Sequence, residues 1–164
     1  MKHSRRQFIK GSLISSAGFG LLHRPAQAAD SASLPVIAET DICVLGGSCT
    51  GVFAAIRAAR LGAKVAIVEK TNAFGGVATN ALVFFWHSLK NTEFDKQIIA
   101  GLTEETMQRL QKRDAVALRQ RSASVAFRFN SQELKIELDE MVMEHDIHPF
   151  LHTLFSEPVL DNDG

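Results

Sequence analysis

The chain is poor in cysteine. Its 164 residues hold two, Cys43 and Cys49. They lie six apart, one on an expected strand and one in the turn after it, which is no disulfide framework. There is no C-x-x-C and no Cys/His cluster of the kind that holds a metal. The six histidines are scattered. His145 and His148 are three apart but flank Asp146 and Ile147, where a helix is expected to end. No apolar run reaches the ~20 residues a membrane-spanning helix needs. A basic field is missing too. The net charge of zero averages two unlike parts. Residues 1–28 hold five basic residues (Lys2, Arg5, Arg6, Lys10, Arg24) and no acidic one. Residues 29–164 hold 13 basic against 18 acidic residues, a net of −5. So acidic a body excludes nucleic acid as partner. With 46% hydrophobic residues, the chain can build the core of one domain.

The first 28 residues read as an address. Ser4-Arg5-Arg6-Gln7-Phe8-Ile9-Lys10 precedes a moderately apolar stretch from Gly11 to Leu22, and Ala26-Gln27-Ala28 supplies a small-x-small cleavage site. The stretch has the size of a signal h-region rather than a span. This order resembles the twin-arginine export signals of bacteria. The resemblance implies cleavage after Ala28, passage through the twin-arginine translocase in a folded state, and a mature protein that is periplasmic or secreted, with no stable membrane span. Proteins that must acquire a cofactor before export use that route. Residues 29–40 read as a flexible linker before the domain.

Next comes a strand, a glycine turn, a helix, a strand and an acid. "DICVLG" (Asp41 to Gly46) is an apolar run with a polar start and a glycine stop, hence a buried strand with Cys43 in the core. "SCTGVFAAIRAARLG" repeats Val52, Ala55, Ile56 and Ala59 at helical spacing, and Gly62 closes it. "AKVAIVEK" (Ala63 to Lys70) is a continuous apolar strand, as in a parallel sheet covered on both faces. Glu69 follows Gly46 by 23 residues. This is the order of a βαβ dinucleotide unit. Gly46 permits the tight turn. The third position of G-x-G-x-x-G brings backbone close to a pyrophosphate, and Gly51 lets the helix pack on the sheet. The N–H groups near Cys49 and Thr50 point toward phosphate. Glu69 accepts from ribose hydroxyls. Ser48 departs from the pattern, since that third position is ordinarily glycine. Its side chain enters space the pyrophosphate would use, so weakened or rearranged binding is expected, with the hydroxyl able to donate to a phosphate oxygen. Cys49 heads a helix and could be a thiolate; facing the sheet or the cofactor is the plainer expectation.

"EKTNAFGGVATNALVFFW" places Gly75-Gly76 six and seven residues after the acid, then Val77-Ala78-Thr79. With the G-G-S-C-T-G turn and Glu69-Lys70, the segment resembles the FAD-dependent oxidoreductases with two dinucleotide-binding domains. The resemblance runs over residues 41–160. It implies an α/β fold: a Rossmann-like FAD-binding parallel sheet with flanking helices, here only the N-terminal part of a larger fold. The cofactor implied is FAD, and the activity is transfer of hydride or electrons between a small organic substrate and the flavin. Gly46, Gly47, Ser48, Cys49, Thr50 and Gly51 form the pyrophosphate turn. Lys70 lies near the adenosine ribose beside Glu69. Gly75, Gly76, Val77, Ala78 and Thr79 become pyrophosphate or flavin contacts. Two adjacent glycines after an acid agree with that, since they free the backbone to approach a flat group. His87 is a weak candidate for acid or base chemistry; a Trp86-His87 pair packed at the domain edge is the plainer reading.

"TEFDKQIIAGLTEETMQRLQKRDA" reads as an amphipathic helical region with Ile98, Ile99, Leu102, Met107 and Leu110 inward. Thr103-Glu104-Glu105 looks like a helix start. "NSQELKIELDEMVMEHD" is a second helix, capped by Asn130 or Ser131, with Leu134, Leu138, Met141 and Val142 inward. "IHPFLHTLF" reads as the third strand of the sheet, with Pro149 near its start or on an edge. "SEPVLDNDG" begins a further strand and ends on a hairpin signal. Residues 41–164 are thus expected to be a partial FAD/NAD(P)-binding domain, holding the AMP half of the site. Two other readings stand beside it: an inactive remnant or a subunit completed by a second chain, and, less well supported, an NAD(P)-binding module, against which the Gly75–Thr79 loop argues.

Overall fold

The computed structural model describes residues 35–118 and 127–160. The chain divides into two units, Met1–Ile37 with Val159–Gly164, and Ala38–Pro158. The first has no helix or strand among its described residues. The expected signal, residues 29–34 of the linker and the Asp161–Gly164 turn lie outside the described residues.

The unit Ala38–Pro158 begins with β1 (Ile42–Leu45), α1 (Cys49–Arg60) and β2 (Val65–Val68). Ser48 caps α1, and Arg57 and Arg60 sit in its last turn, where positive charge suits the helix dipole. After the cap at Leu61, Gly62 takes a φ of +94°, and the chain turns back into β2. β1 and β2 pair in parallel, Ile42 opposite Val65 and Val44 opposite Ile67. β6 (His148–Phe150) pairs in parallel on the other side of β2, so the order is β1-β2-β6. This is the half-sheet that a βαβ unit and one further crossover strand build. Pro149 sits on the edge strand β6, where its missing N–H costs no ladder bond toward the sheet.

Helix α3 (Ser131–Glu144) is capped by Asn130, whose side chain accepts from the N–H groups of Gln132 and Glu133. Its Leu134, Leu138, Met141 and Val142 join Val52, Ala55 and Ile56 of α1, Val65 and Ile67 of β2, and Met107 and Leu110 of α2 (Leu102–Lys112) in one core. Each large apolar side chain so buried contributes about 1.5–3 kcal/mol. Glu137 is 1% exposed among these helices. Arg109 pairs with it, and Arg113 Nε donates to it at 2.8 Å. Two guanidinium groups offset the desolvation of one carboxylate and pin α2 against α3.

Several expectations are corrected. The central strand β2 is buried on both faces, Ala66 being 3% exposed, but among the described residues its neighbours are open on the far face. Cys43, Leu45 and His148 lie on the face opposite the helices and are exposed. Cys43 is therefore not core: β1 is an edge strand, and among the described residues nothing covers Cys43. The helix at "TEFDKQIIAGLTEE" starts only at Leu102. Gly101 takes a φ of +66° and stops helix from propagating upstream. Ile98 is 62% exposed, and Ile99 is exposed as well, in the turns that precede it. A small antiparallel sheet was not foreseen. β3 (Phe85–Trp86), β5 (Phe127–Phe129) and β4 (Val116–Leu118) pair in the order β3-β5-β4. Trp86 packs edge-on to Phe129, ring centroids 5.2 Å apart. β6 ends at Phe150, and Ser156–Leu160 form no strand.

Candidate functional site

β1 ends in the glycine turn, β2 ends in Glu69, and the two ends are bonded together. Gly46 leaves β1 with a φ of +102°, and its N–H donates to the Val68 carbonyl at 2.8 Å. The Gly47 N–H donates to Glu69 Oε2 at 2.7 Å. The Thr71 N–H and hydroxyl both donate to Glu69 Oε1, at 2.8 and 2.7 Å. Burial pushes the Glu69 carboxyl up, but these donors and the Lys70 charge outweigh it and hold the group below the usual carboxylate range.

The glycines are needed where they stand. A Cβ on Gly51 would lie 1.9 Å from the Gly46 carbonyl oxygen, so α1 crosses the turn backbone to backbone. A Cβ on Gly47 would lie 2.5 Å from the Phe74 ring. Ser48 is the N-cap of α1, and its Oγ accepts from the Gly51 N–H at 3.3 Å. Ser48 and Gly75 form a parallel bridge, which points the Cys49 N–H at the Gly75 carbonyl; among the described residues, the Thr50 N–H has no protein acceptor. That N–H and the helix dipole make the start of α1 attractive to an anion. Cys49 is half-buried and donates its S–H to the Gly75 carbonyl at 3.5 Å. Burial pushes its thiol up to about 11, against a small lowering by a backbone hydrogen bond, so it is no thiolate at neutral pH.

The second glycine loop lies against the first. The Gly75 N–H donates to the Gly47 carbonyl at 2.8 Å. Gly75 and Gly76 have φ of +101° and +54°, and a short 3-10 turn runs over Gly76–Ala78. A Cβ on Gly76 would meet the Ser48 Cβ at 3.3 Å, so the serine and this glycine share one small space. Val77 points outward, while Ala78 and Thr79 are buried. The Thr79 hydroxyl donates inward to the Phe74 carbonyl at 2.6 Å and holds the loop's shape.

Two hollows flank this junction. One, of about 300 Å³, is lined by Leu45, Gly46, Val68, Glu69, Lys70, Thr153, Leu154 and Phe155. The other, also about 300 Å³, is lined by Ser48, Cys49, Thr50, Gly75, Val77, Ala78, Val83 and Trp86. The sequence-expected residues from Gly46 to Gly51, Glu69, Lys70 and Gly75 to Thr79 thus come together. His87 does not join them. It is exposed, edge-on to Phe85 at 5.5 Å, and lines neither hollow. Thr153, Leu154 and Phe155 were missed, because they read as the tail of a strand. Instead the Thr153 N–H donates to the Glu69 carbonyl at 3.1 Å and turns that tail across the end of β2. Thr71 and Asn80 carried no sequence signal.

The model of the FAD dependent oxidoreductase family matches residues 41–164. Among curated proteins there is no match. Solved structures similar to the chain include THI4 of Thermovibrio ammonificans, 18% identical, covering 92% of this chain and 48% of that one, TM-score 0.45. An L-amino acid deaminase from Proteus vulgaris is 16% identical, covering 70% and 45%, TM-score 0.38. The flavin-dependent monooxygenase PieE, solved with FAD and substrate, is 16% identical, covering 72% and 24%, TM-score 0.35. The chain spans about half the length of the first two and a quarter of the third. With every score below 0.5, the fold rests on the strand order and register given above. The family match spans the strand-end acid and both glycine loops: the chain belongs to the FAD-dependent oxidoreductase family, and FAD is its cofactor.

Proposed function

We propose that this chain carries the adenosine and pyrophosphate part of the FAD site of an exported oxidoreductase acting on a small organic molecule. The observation that carries the reading is the Glu69 carboxylate. It is buried, held ionised by Gly47 and Thr71, and set beside the start of α1 at the edge of a hollow. The residues present fit FAD. Glu69 and Lys70 would meet the adenosine ribose, with Leu45, Leu154 and Phe155 as apolar walls. The free N–H group of Thr50 would face the pyrophosphate. The Gly75–Gly76 backbone and Val77 would line the way toward the flavin. When bound, FAD supplies acceptance of hydride or electrons from substrate; the protein positions it and keeps its own groups from reacting. The test is whether the purified chain, refolded with FAD, retains flavin absorbance and binds FAD in preference to NAD. Loss of all flavin on gel filtration, in wild type and after refolding alike, would sink the reading.

Export is supported by the Arg5-Arg6 core, the apolar stretch to Leu22 and the Ala26-Gln27-Ala28 site. Replacing both Arg5 and Arg6 by lysine should leave the protein in the cytoplasm, uncleaved. Secretion of that variant at the wild-type rate would exclude the twin-arginine route. A reading in which a second chain completes the site is favoured by the β1 edge and the sheet face around Cys43 and Leu45, both open among the described residues. Unpaired edges of this kind are ordinarily covered.

A further inference from the structure

Thr71 and Asn80 would not touch a dinucleotide on the reading above, yet both are tied to its acid. The Thr71 hydroxyl lies 2.7 Å from Glu69 Oε1 and 3.0 Å from the Ala73 carbonyl oxygen. It has one hydrogen, so it can serve only one of them at a time. Asn80 Nδ2 lies 3.0 Å from the Thr71 oxygen and 3.5 Å from the Ala73 carbonyl. Turning the amide over would set its oxygen against that carbonyl, so the nitrogen belongs there. The Thr71 oxygen therefore accepts from Asn80, and its own hydrogen is left to choose between Glu69 and Ala73.

Lone pairs on Glu69 decide what that choice does. An ionised carboxylate offers about four acceptor positions. The Gly47 N–H, the Thr71 N–H and the Thr71 hydroxyl use three. An adenosine ribose brings two adjacent hydroxyls to the one that remains. One internal donor must give way. The two N–H groups are fixed by the backbone. The Thr71 hydroxyl can rotate, and the Ala73 carbonyl stands ready to accept it.

We propose that Thr71 is a switching donor, held at its oxygen by Asn80, which gives its hydrogen to Glu69 until ribose hydroxyls arrive and then turns it to the Ala73 carbonyl. Both are positioning residues acting through Glu69. This rests on the reading of Glu69 as the ribose acid. The device keeps a buried carboxylate satisfied, and hence ionised, before the cofactor binds. It also blunts selection for the ribose. When a nucleotide lacks the 2′-hydroxyl, Thr71 stays on Glu69 and the carboxylate loses little.

The experiment titrates the full chain with ADP and with 2′-deoxy-ADP by calorimetry. The wild type should bind the two within about threefold of each other. In Thr71→Val the deoxy nucleotide leaves a buried acceptor unfilled, and the preference for ADP should widen by about fivefold, the worth of one hydrogen bond. Thr71→Ala, which removes the same hydroxyl, serves if the valine variant does not fold. Thr71→Ser keeps the hydroxyl and should keep the narrow preference. Asn80→Ala should fall between. The acid limb of ADP binding should also move to higher pH in Thr71→Val, because Glu69 loses a donor to its charged form. A merely structural threonine would move neither reading. An unchanged preference in both Thr71→Val and Thr71→Ala, with ADP binding intact, overturns the switch and leaves the site standing. Failure of ADP to bind the wild type overturns both.

Discussion

A Cβ at position 51 would lie 1.9 Å from the carbonyl oxygen of Gly46, and that oxygen belongs to backbone that cannot step aside. The first turn of α1 and the end of β1 touch because Gly51 has no side chain. Gly51→Ala should therefore cost about 3 kcal/mol, the upper end of overpacking, and lower the melting temperature by about 10 °C. At Gly62, nothing lies within 4 Å of an added Cβ. Gly62→Ala should cost only the left-handed strain, about 1–2 kcal/mol. Calorimetric melts compare the two, and equal losses would contradict the close crossing.

Ser48 spends its hydroxyl oxygen on the Gly51 N–H, at 3.3 Å, a donor that a phosphate could otherwise use. Ser48→Gly should tighten FAD binding by about fivefold, one hydrogen bond regained. The loss of the cap should cost only a few tenths of a kcal/mol in stability. Flavin fluorescence titration and urea denaturation read the two effects. Weaker binding in the glycine variant would mean that the serine hydroxyl itself serves the phosphate.

Glu69 titrates below the usual carboxylate range because the Thr71 and Gly47 donors and Lys70 outweigh its burial. The sign follows. Its contribution is complete above the unfolded value of about 4.3 and is lost as pH falls through the lower folded value. FAD affinity should be flat above the ordinary carboxylate range and fall only at pH below it. Glu69→Gln should bind weakly and without that acid limb, since an amide brings a donor toward the Gly47 and Thr71 N–H groups. Equilibrium dialysis across pH checks it; a limb centred near neutrality would assign the titration to another group.

The two cysteines should differ in reactivity. Cys43 is exposed on the bare face of the edge strand. Cys49 is half-buried, with its thiol pushed up to about 11. A disulfide reagent at pH 7.5 should modify Cys43 rapidly and Cys49 slowly, as peptide mass mapping would show. Protection of Cys43 in a larger assembly would mark the bare face as covered there. Fast labelling of Cys49 would refute its burial.

The βαβ unit was legible because its signals are local. An apolar run before Gly46, small residues at helical spacing from Val52, and Glu69 at the end of the next run leave little choice of fold. Asn130 was legible as a cap for the same reason, since the bonds it makes reach only two and three residues ahead. The antiparallel sheet was not legible. Its strands are two or three residues long, and β3 joins β5 across more than forty positions of chain, so no periodicity marks them.

The sequence by itself determined the loop chemistry, the acid and the cofactor class, because these depend on residue type at fixed spacing. Tertiary structure alone decided the rest. It put Cys43 on an open face, since burial depends on what packs opposite. It turned Thr153 across β2 beside Glu69. It also brought Asn80 within 3.0 Å of Thr71, nine residues earlier, making a hydrogen-bond chain from two residues that carry no motif. Partners met through space are set by how elements pack, and packing is a property of the whole core.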